Sequence, residues 1–235
     1  MLSEEQKIHC SAFFKNALKT IDEMDRDTVN VIDSLSNRGW FIWLGDGAIK
    51  DYLDKHSKLF NATPLEQDGY MFSYVQTNVA QFRDELRSGY PNRERQIFDA
   101  FHAHENQLFY ASIPVLLSLS EGIGRDLIGS QLKNPQDGIY STRNKKPVLE
   151  DLFSGVQGVE SFEMNWLSPL YKSTALTASG TTLTSDQKTQ FNRHWILHGN
   201  SDAYGSEENS LKAISLVYFV HKSIARLKDI LAGNI

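Results

Sequence analysis

The stretch FNRHWILHG, residues 191–199, places Arg193, His194 and His198 within six positions, with Asn192 just before them and Gly199 just after. Arginine is a permanent cation whose planar fork suits phosphate oxygens. Histidine exchanges a proton near neutral pH. Together they match cleavage of RNA by its neighbouring 2′-hydroxyl, which needs proton transfer and stabilisation of charge on a pentacoordinate phosphorus. Spacing adds a second point: on a helix His194 and His198 share one face, and Arg193 projects about 100° to the side of His194. Two copies of such a helix meeting across a twofold axis would line one groove with both arginines and both histidines.

Other chemistries compete for the same residues. Cations in the last turn of a helix interact favourably with its dipole, by about 0.3–1 kcal/mol each. Histidines four apart can also chelate an ion. No acidic third ligand stands at helical spacing, and the neighbourhood of His102 and His104 reads as an exposed helix face, so neither metal nor cofactor is expected. Glu121 interrupts an apolar run and must be paired or neutralised if buried; it either orients a catalytic side chain or pairs with Arg125 four residues on. Arg143, Lys145 and Lys146 form a small basic cluster that either steers RNA or is a solvated loop.

The elements that must position these residues read as helices throughout. The chain has 235 residues, enough for a core without disulfides, and Cys10 is its one cysteine, which fits a reducing cytoplasm. A net charge of −5 argues against bulk electrostatic coating of nucleic acid. The acidic start MLSEEQ does not resemble a signal peptide, and no apolar run reaches spanning length, so no membrane association is expected.

Helical periodicity recurs while strand-like alternation is nearly absent, which predicts an all-α chain. Ser3 and Gln6 suggest a capping box before a first helix. A second helix over DTVNVIDSLSNRG ends near Gly39, and WFIWLGDG at 40–47 reads as a buried junction. Thr63, Pro64 and Glu66 start a helix through Met71, Val75, Val79, Phe82 and Leu86. Pro114 is expected to kink or break the segment that follows, and Pro114 to Ile128 should lie in the core. Short helices are expected between Val148 and Lys172. Thr184 and Gln187 suggest a cap for a helix ending at Gly199, which would put the cluster on its last turns. Ser206 caps a final helix with Glu207 and Glu208 in its first turn. Trp40, Trp43 and the aromatic residues from Phe98 to Tyr110 read as packing rather than as a base-stacking platform.

RHWILH, Arg193 through His198, resembles the R-x4-6-H motif of HEPN domains. The flanking sequence through Val220 is similar to the C-terminal helix pair of bacterial HEPN proteins, and ENQLFYASIPVLLSLSEGIGRDLI to their earlier core helix. The resemblance covers residues 91–235 and leaves residues 1–90 as an additional N-terminal helical extension. It implies a helical bundle that forms a homodimer with a shared cleft. It also implies metal-independent endoribonuclease activity on an RNA substrate such as tRNA or mRNA, in abortive infection, phage defence or a toxin role. An antitoxin or a phage-derived trigger is then an expected partner. Carried over, Arg193 would engage the scissile phosphate, His198 would transfer protons, and His194 would take the polar supporting place, with Asn192 as a further neighbour. Some HEPN toxins carry a tyrosine two residues beyond the motif histidine that an antitoxin modifies; here that position is Asn200. The alternative is a noncatalytic HEPN module that binds a nucleotide, RNA or a partner protein.

Overall fold

The computed structural model describes residues 26–45, 49–134, 137–143, 146–153, 165–172, 174–178 and 191–232. These form an all-α helical bundle: α1 (26–37), α2 (Ile49–Phe60), α3 (Pro64–Gly89), α4 (Glu94–Glu105), α5 (Phe109–Ile128), α6 (Val148–Phe153), α7 (Ser168–Tyr171), α8 (Arg193–Leu197) and α9 (Glu207–Leu231). The one sheet among the described residues is a two-residue antiparallel bridge, β1 (Thr142–Arg143) with β2 (Lys146–Pro147). No helix among the described residues is long and apolar enough to cross a membrane. The expected first helix, residues 4–24, and the Thr184–Gln187 cap lie outside the described residues.

Local signals account for many of the ends. Thr63 accepts from the Glu66 amide while the Glu66 carboxylate accepts from the Thr63 amide, and Pro64 fills the first helical position, where a missing N–H costs nothing. Ser206 caps α9 by accepting from the Asn209 amide. α1 closes with Gly39 at φ +86°, where Gly39 N–H reaches Ser36 O and Trp40 N–H reaches Leu35 O. That paired closure requires a left-handed residue, which glycine supplies without a Cβ penalty.

α9 is the axis of the core. Its buried residues run almost unbroken from Ser210 to Val220, which puts apolar side chains all round the helix. α5 packs along one side, with Ile113, Leu116, Leu117, Leu119 and Ile123 fully buried. α3 packs along another, where Phe82 stacks on Tyr218 at 3.7 Å. The junction 40–44 is buried and irregular; Trp40 is sealed inside, Phe41 meets Phe219 at 5.7 Å, and the Phe41 amide donates to Ser215 Oγ. Each such side chain stabilises the fold by about 1.5–3 kcal/mol, whereas an exposed pair such as Arg95–Asp99 contributes about 0–1 kcal/mol. Burial decides the architecture. The same cluster holds Met71, Val75 and Leu86 from before residue 90 and Ile97 to Ile230 from after it, so the core is continuous across that turn.

Two expectations are corrected here. Pro114 neither ends nor divides a helix: it sits inside α5, and the break falls at 106–108. There Gln107 takes φ +60°, with Gln107 N–H on His104 O and Leu108 N–H on Ala103 O. Proline leaves the carbonyl four residues back without its helical donor, and that carbonyl, on Tyr110, accepts from the Tyr204 hydroxyl at 3.3 Å. Tyr110 Oη in turn donates to Asp202 O, and the two tyrosine rings meet edge to face at 5.1 Å. The second correction concerns His104, which is buried rather than on an exposed face: its Nδ1 lies 2.8 Å from Ser210 Oγ, and Ser112 Oγ completes the group.

Candidate functional site

α8 is a helix of five residues rather than the tail of a longer one, so the Arg193–His198 cluster is the helix itself and not its last turns. Its start is fixed by Asn192, a buried N-cap in extended conformation. The amide oxygen accepts from Trp195 N–H, and the amide nitrogen donates to Ala175 O at 2.6 Å and Ala178 O at 3.1 Å. Every hydrogen-bonding atom of that side chain faces protein, so Asn192 is a structural cap and does not reach a substrate. The stop is equally defined. Gly199, at φ +71°, donates to Ile196 O, and Asn200 N–H reaches Trp195 O. Arg193 and His198 are thus the first helical residue and the C-cap of one short, doubly closed turn.

Arg193 turns inward. Its Nη1 donates to Glu121 Oε2 on α5 at 2.6 Å, its guanidinium lies over the Tyr140 ring at 4.8 Å, and its backbone N–H reaches Leu176 O. The side chain is only 15% exposed, against 29% for Glu121. Nε is buried with no hydrogen-bond partner among the described residues. Glu121 therefore orients Arg193. Tyr140 is itself anchored, because its hydroxyl donates to Ser120 Oγ, which in turn donates to Leu117 O. Burial raises the Tyr140 phenol well above its usual range, so it stays neutral beside the cation. Gly138 lies against Glu121 so closely that a Cβ there would stand 1.7 Å from Oε1.

The histidines turn outward. His198 is exposed and His194 half-buried, with ring centroids 4.4 Å apart at 49°. Burial first, then the positive charges of His198 and Arg193, push the His194 ring below the ordinary histidine range. No contact among the described residues joins Arg193 to His198 within one chain: the arginine turns in toward Glu121, and the histidine is exposed.

Among the remaining predicted residues, Arg143 and Lys146 have their backbones in the β1–β2 bridge, 22 residues beyond Glu121 at the nearer end. Their side chains, and Lys145 altogether, lie outside the described residues. No group of three or more His, Cys, Asp or Glu residues capable of holding a metal is found among the described residues. Sequence reading missed Gly138 and Tyr140, because GIYS looks like turn chemistry; the one available signal was an aromatic residue inside a polar loop. No protein-family model matches this chain, and no curated protein and no solved structure matches it either.

Proposed function

We propose that this chain is a metal-independent endoribonuclease of HEPN type, acting in the cytoplasm in phage defence or as a toxin, with its active site in a cleft shared by two copies. The observation that carries the reading is the doubly capped turn that holds Arg193 and His198 at its two ends, the arginine braced by Glu121 and Tyr140 and the histidine exposed. In the reaction, the 2′-oxygen forms a bond to phosphorus and the bond from phosphorus to the 5′-oxygen breaks, leaving a 2′,3′-cyclic phosphate. His198 moves the proton from the 2′-hydroxyl toward the departing 5′-oxygen, Arg193 offers its remaining N–H donors to the phosphoryl oxygens, and His194 takes the polar supporting place beside His198. Since the arginine turns in and the histidine is exposed within one chain, an arginine from one copy and a histidine from the other complete the site across a twofold axis.

A second reading, a noncatalytic module that recognises a nucleotide or a protein, is favoured by the ion pair already occupying Arg193. One experiment separates them. Total bacterial RNA and tRNA are incubated with purified wild-type protein and with His198→Ala, each with and without EDTA. Cleavage that survives EDTA, leaves cyclic phosphate ends and vanishes in the variant supports the ribonuclease. Cleavage retained by His198→Ala removes that residue from the mechanism, and motif-dependent binding without cleavage supports the second reading.

A further inference from the structure

A cavity of about 360 Å³ opens where the end of α1, the start of α3, the strand of chain before Arg193 and the first turns of α9 meet. That volume is at the lower end of small-ligand sites, roughly 300–1,000 Å³. Its wall carries Asn37, Arg38, Asp68, Phe191, Asn209 and Lys212. Phe191 stands two residues before Arg193, so the cavity adjoins the candidate site along the chain.

The wall is rigid. Arg38 spends Nε on Asp68 Oδ1 at 2.8 Å, Nη1 on Ser34, and Nη2 on Gln67 Oε1 at 2.7 Å. Lys212 lies over the Trp40 ring and pairs with Glu208 at 2.7 Å. Gly39 lets Lys212 and Phe191 close in, to 3.3 and 3.7 Å from where its Cβ would stand. Unused hydrogen-bonding capacity remains inside this frame. Asn37 makes no side-chain hydrogen bond with any described residue, Asn209 uses its amide nitrogen on Tyr204 O and leaves its oxygen free, and Asp68 keeps Oδ2.

The chemistry of that wall selects among ligands. With Arg38 paired to Asp68 and Lys212 to Glu208, neither cation of the wall is left over for a phosphate, while an aromatic ring with amides and a carboxylate suits a nucleobase. Asp68 Oδ2, with the second lone pair that Oδ1 keeps beside Arg38 Nε, can accept from two donors side by side, and guanine alone among the four RNA bases presents two, N1–H and the exocyclic amine, next to a carbonyl acceptor that an ammonium or amide can serve. We infer that this cavity is a subsite for a guanine base, formed by Asp68, Asn37, Asn209 and Lys212 with Phe191 as its aromatic wall; as a subsite for RNA it rests on the ribonuclease reading.

The test is a calorimetric titration of GMP, AMP, CMP and UMP into the full chain carrying His198→Ala. GMP is expected to bind about tenfold or more tightly than the other three, and Asp68→Asn to erase that difference, as loss of a charged hydrogen-bond acceptor implies. Because Asp68 also braces Arg38, Asn37→Ala, at an exposed helix end, serves as the second variant, with a loss of several-fold expected from one hydrogen bond. Equal affinity for the four nucleotides, no binding of GMP, or GMP binding indifferent to both variants overturns the subsite. GMP selectivity in a protein that cuts no RNA keeps the subsite and removes the ribonuclease; RNA cleavage without GMP selectivity does the reverse.

Discussion

Arg193 Nη1 donates to Glu121 Oε2 at 2.6 Å across 72 residues of sequence, from the first position of one helix to the middle of another. A cation at a helix start faces the positive end of the macrodipole, an unfavourable placement by about 0.3–1 kcal/mol. The site accepts that cost because a carboxylate and an aromatic face offset it. Arg193 is therefore not a residue decorating a helix end.

Removing the carboxylate should expose how much depends on it. Glu121→Ala leaves a guanidinium that is 15% exposed without its counter-ion, and the expected loss is about 1–3 kcal/mol, below the 3–5 kcal/mol of a fully buried pair. Glu121→Gln, which still accepts a hydrogen bond, should lose less. Urea denaturation of the three proteins measures it, and equal midpoints for wild type and Glu121→Ala would show that the pair contributes nothing.

Much of this arrangement was legible beforehand, and the residues show why. Thr63–Pro64–Glu66, Gly39, Gly199 and Ser206 announce their roles because a cap or a left-handed residue is a local requirement met by few side chains. Gln107 hides the α4–α5 break, since glutamine rarely adopts φ +60° and carries no signal for it. Pro114 misleads in the opposite sense, because its cost inside α5 is offset by a hydroxyl 90 residues away, on Tyr204. The motif residues were visible as chemistry, but which way Arg193 turns depends on Glu121 and Tyr140, and tertiary packing alone brings these together.

Asn192 offers a test between cap and substrate contact. Asn192→Ala removes an N-cap, about 1 kcal/mol, and strips donors from the buried carbonyls of Ala175 and Ala178, about 1–3 kcal/mol each. These terms sum to about 3–7 kcal/mol, read as a lowered denaturation midpoint. Asn192→Asp keeps the cap oxygen but sets a carboxylate against both carbonyls, so it should be no better than alanine. A variant as stable as wild type would return Asn192 to the list of groups free to meet a ligand.

Gln107 holds the closing position of α4 in left-handed conformation, at a cost of about 1–2 kcal/mol relative to residues that adopt it freely. Gln107→Gly should relieve part of that strain against glycine's greater unfolded-state entropy, for a net gain of about 0.5–1 kcal/mol. The substitution should raise the thermal midpoint by a few degrees. A drop would mean that the glutamine side chain contributes more at this corner than its backbone costs.

The pH dependence of stability follows from buried histidine. Burial lowers the pKa of His104, with Glu207 and Glu105 opposing less strongly, and burial likewise lowers His194 and His56. In the unfolded chain these rings titrate near about 6.5. As pH falls through that value the unfolded state takes up protons that the folded state still refuses, so stability present above about 6.5 is lost until the folded pKa is passed. The lowered carboxylates Glu66 and Glu85 fade only under more acidic conditions and do not enter this window. Urea midpoints should therefore decline between about pH 7.5 and about pH 5.5, and His104→Gln, which retains a hydrogen-bonding partner for Ser210, should flatten the decline. A midpoint that rises toward pH 5.5, or a slope unchanged in His104→Gln, would contradict the assignment of His104 as a ring held neutral by burial.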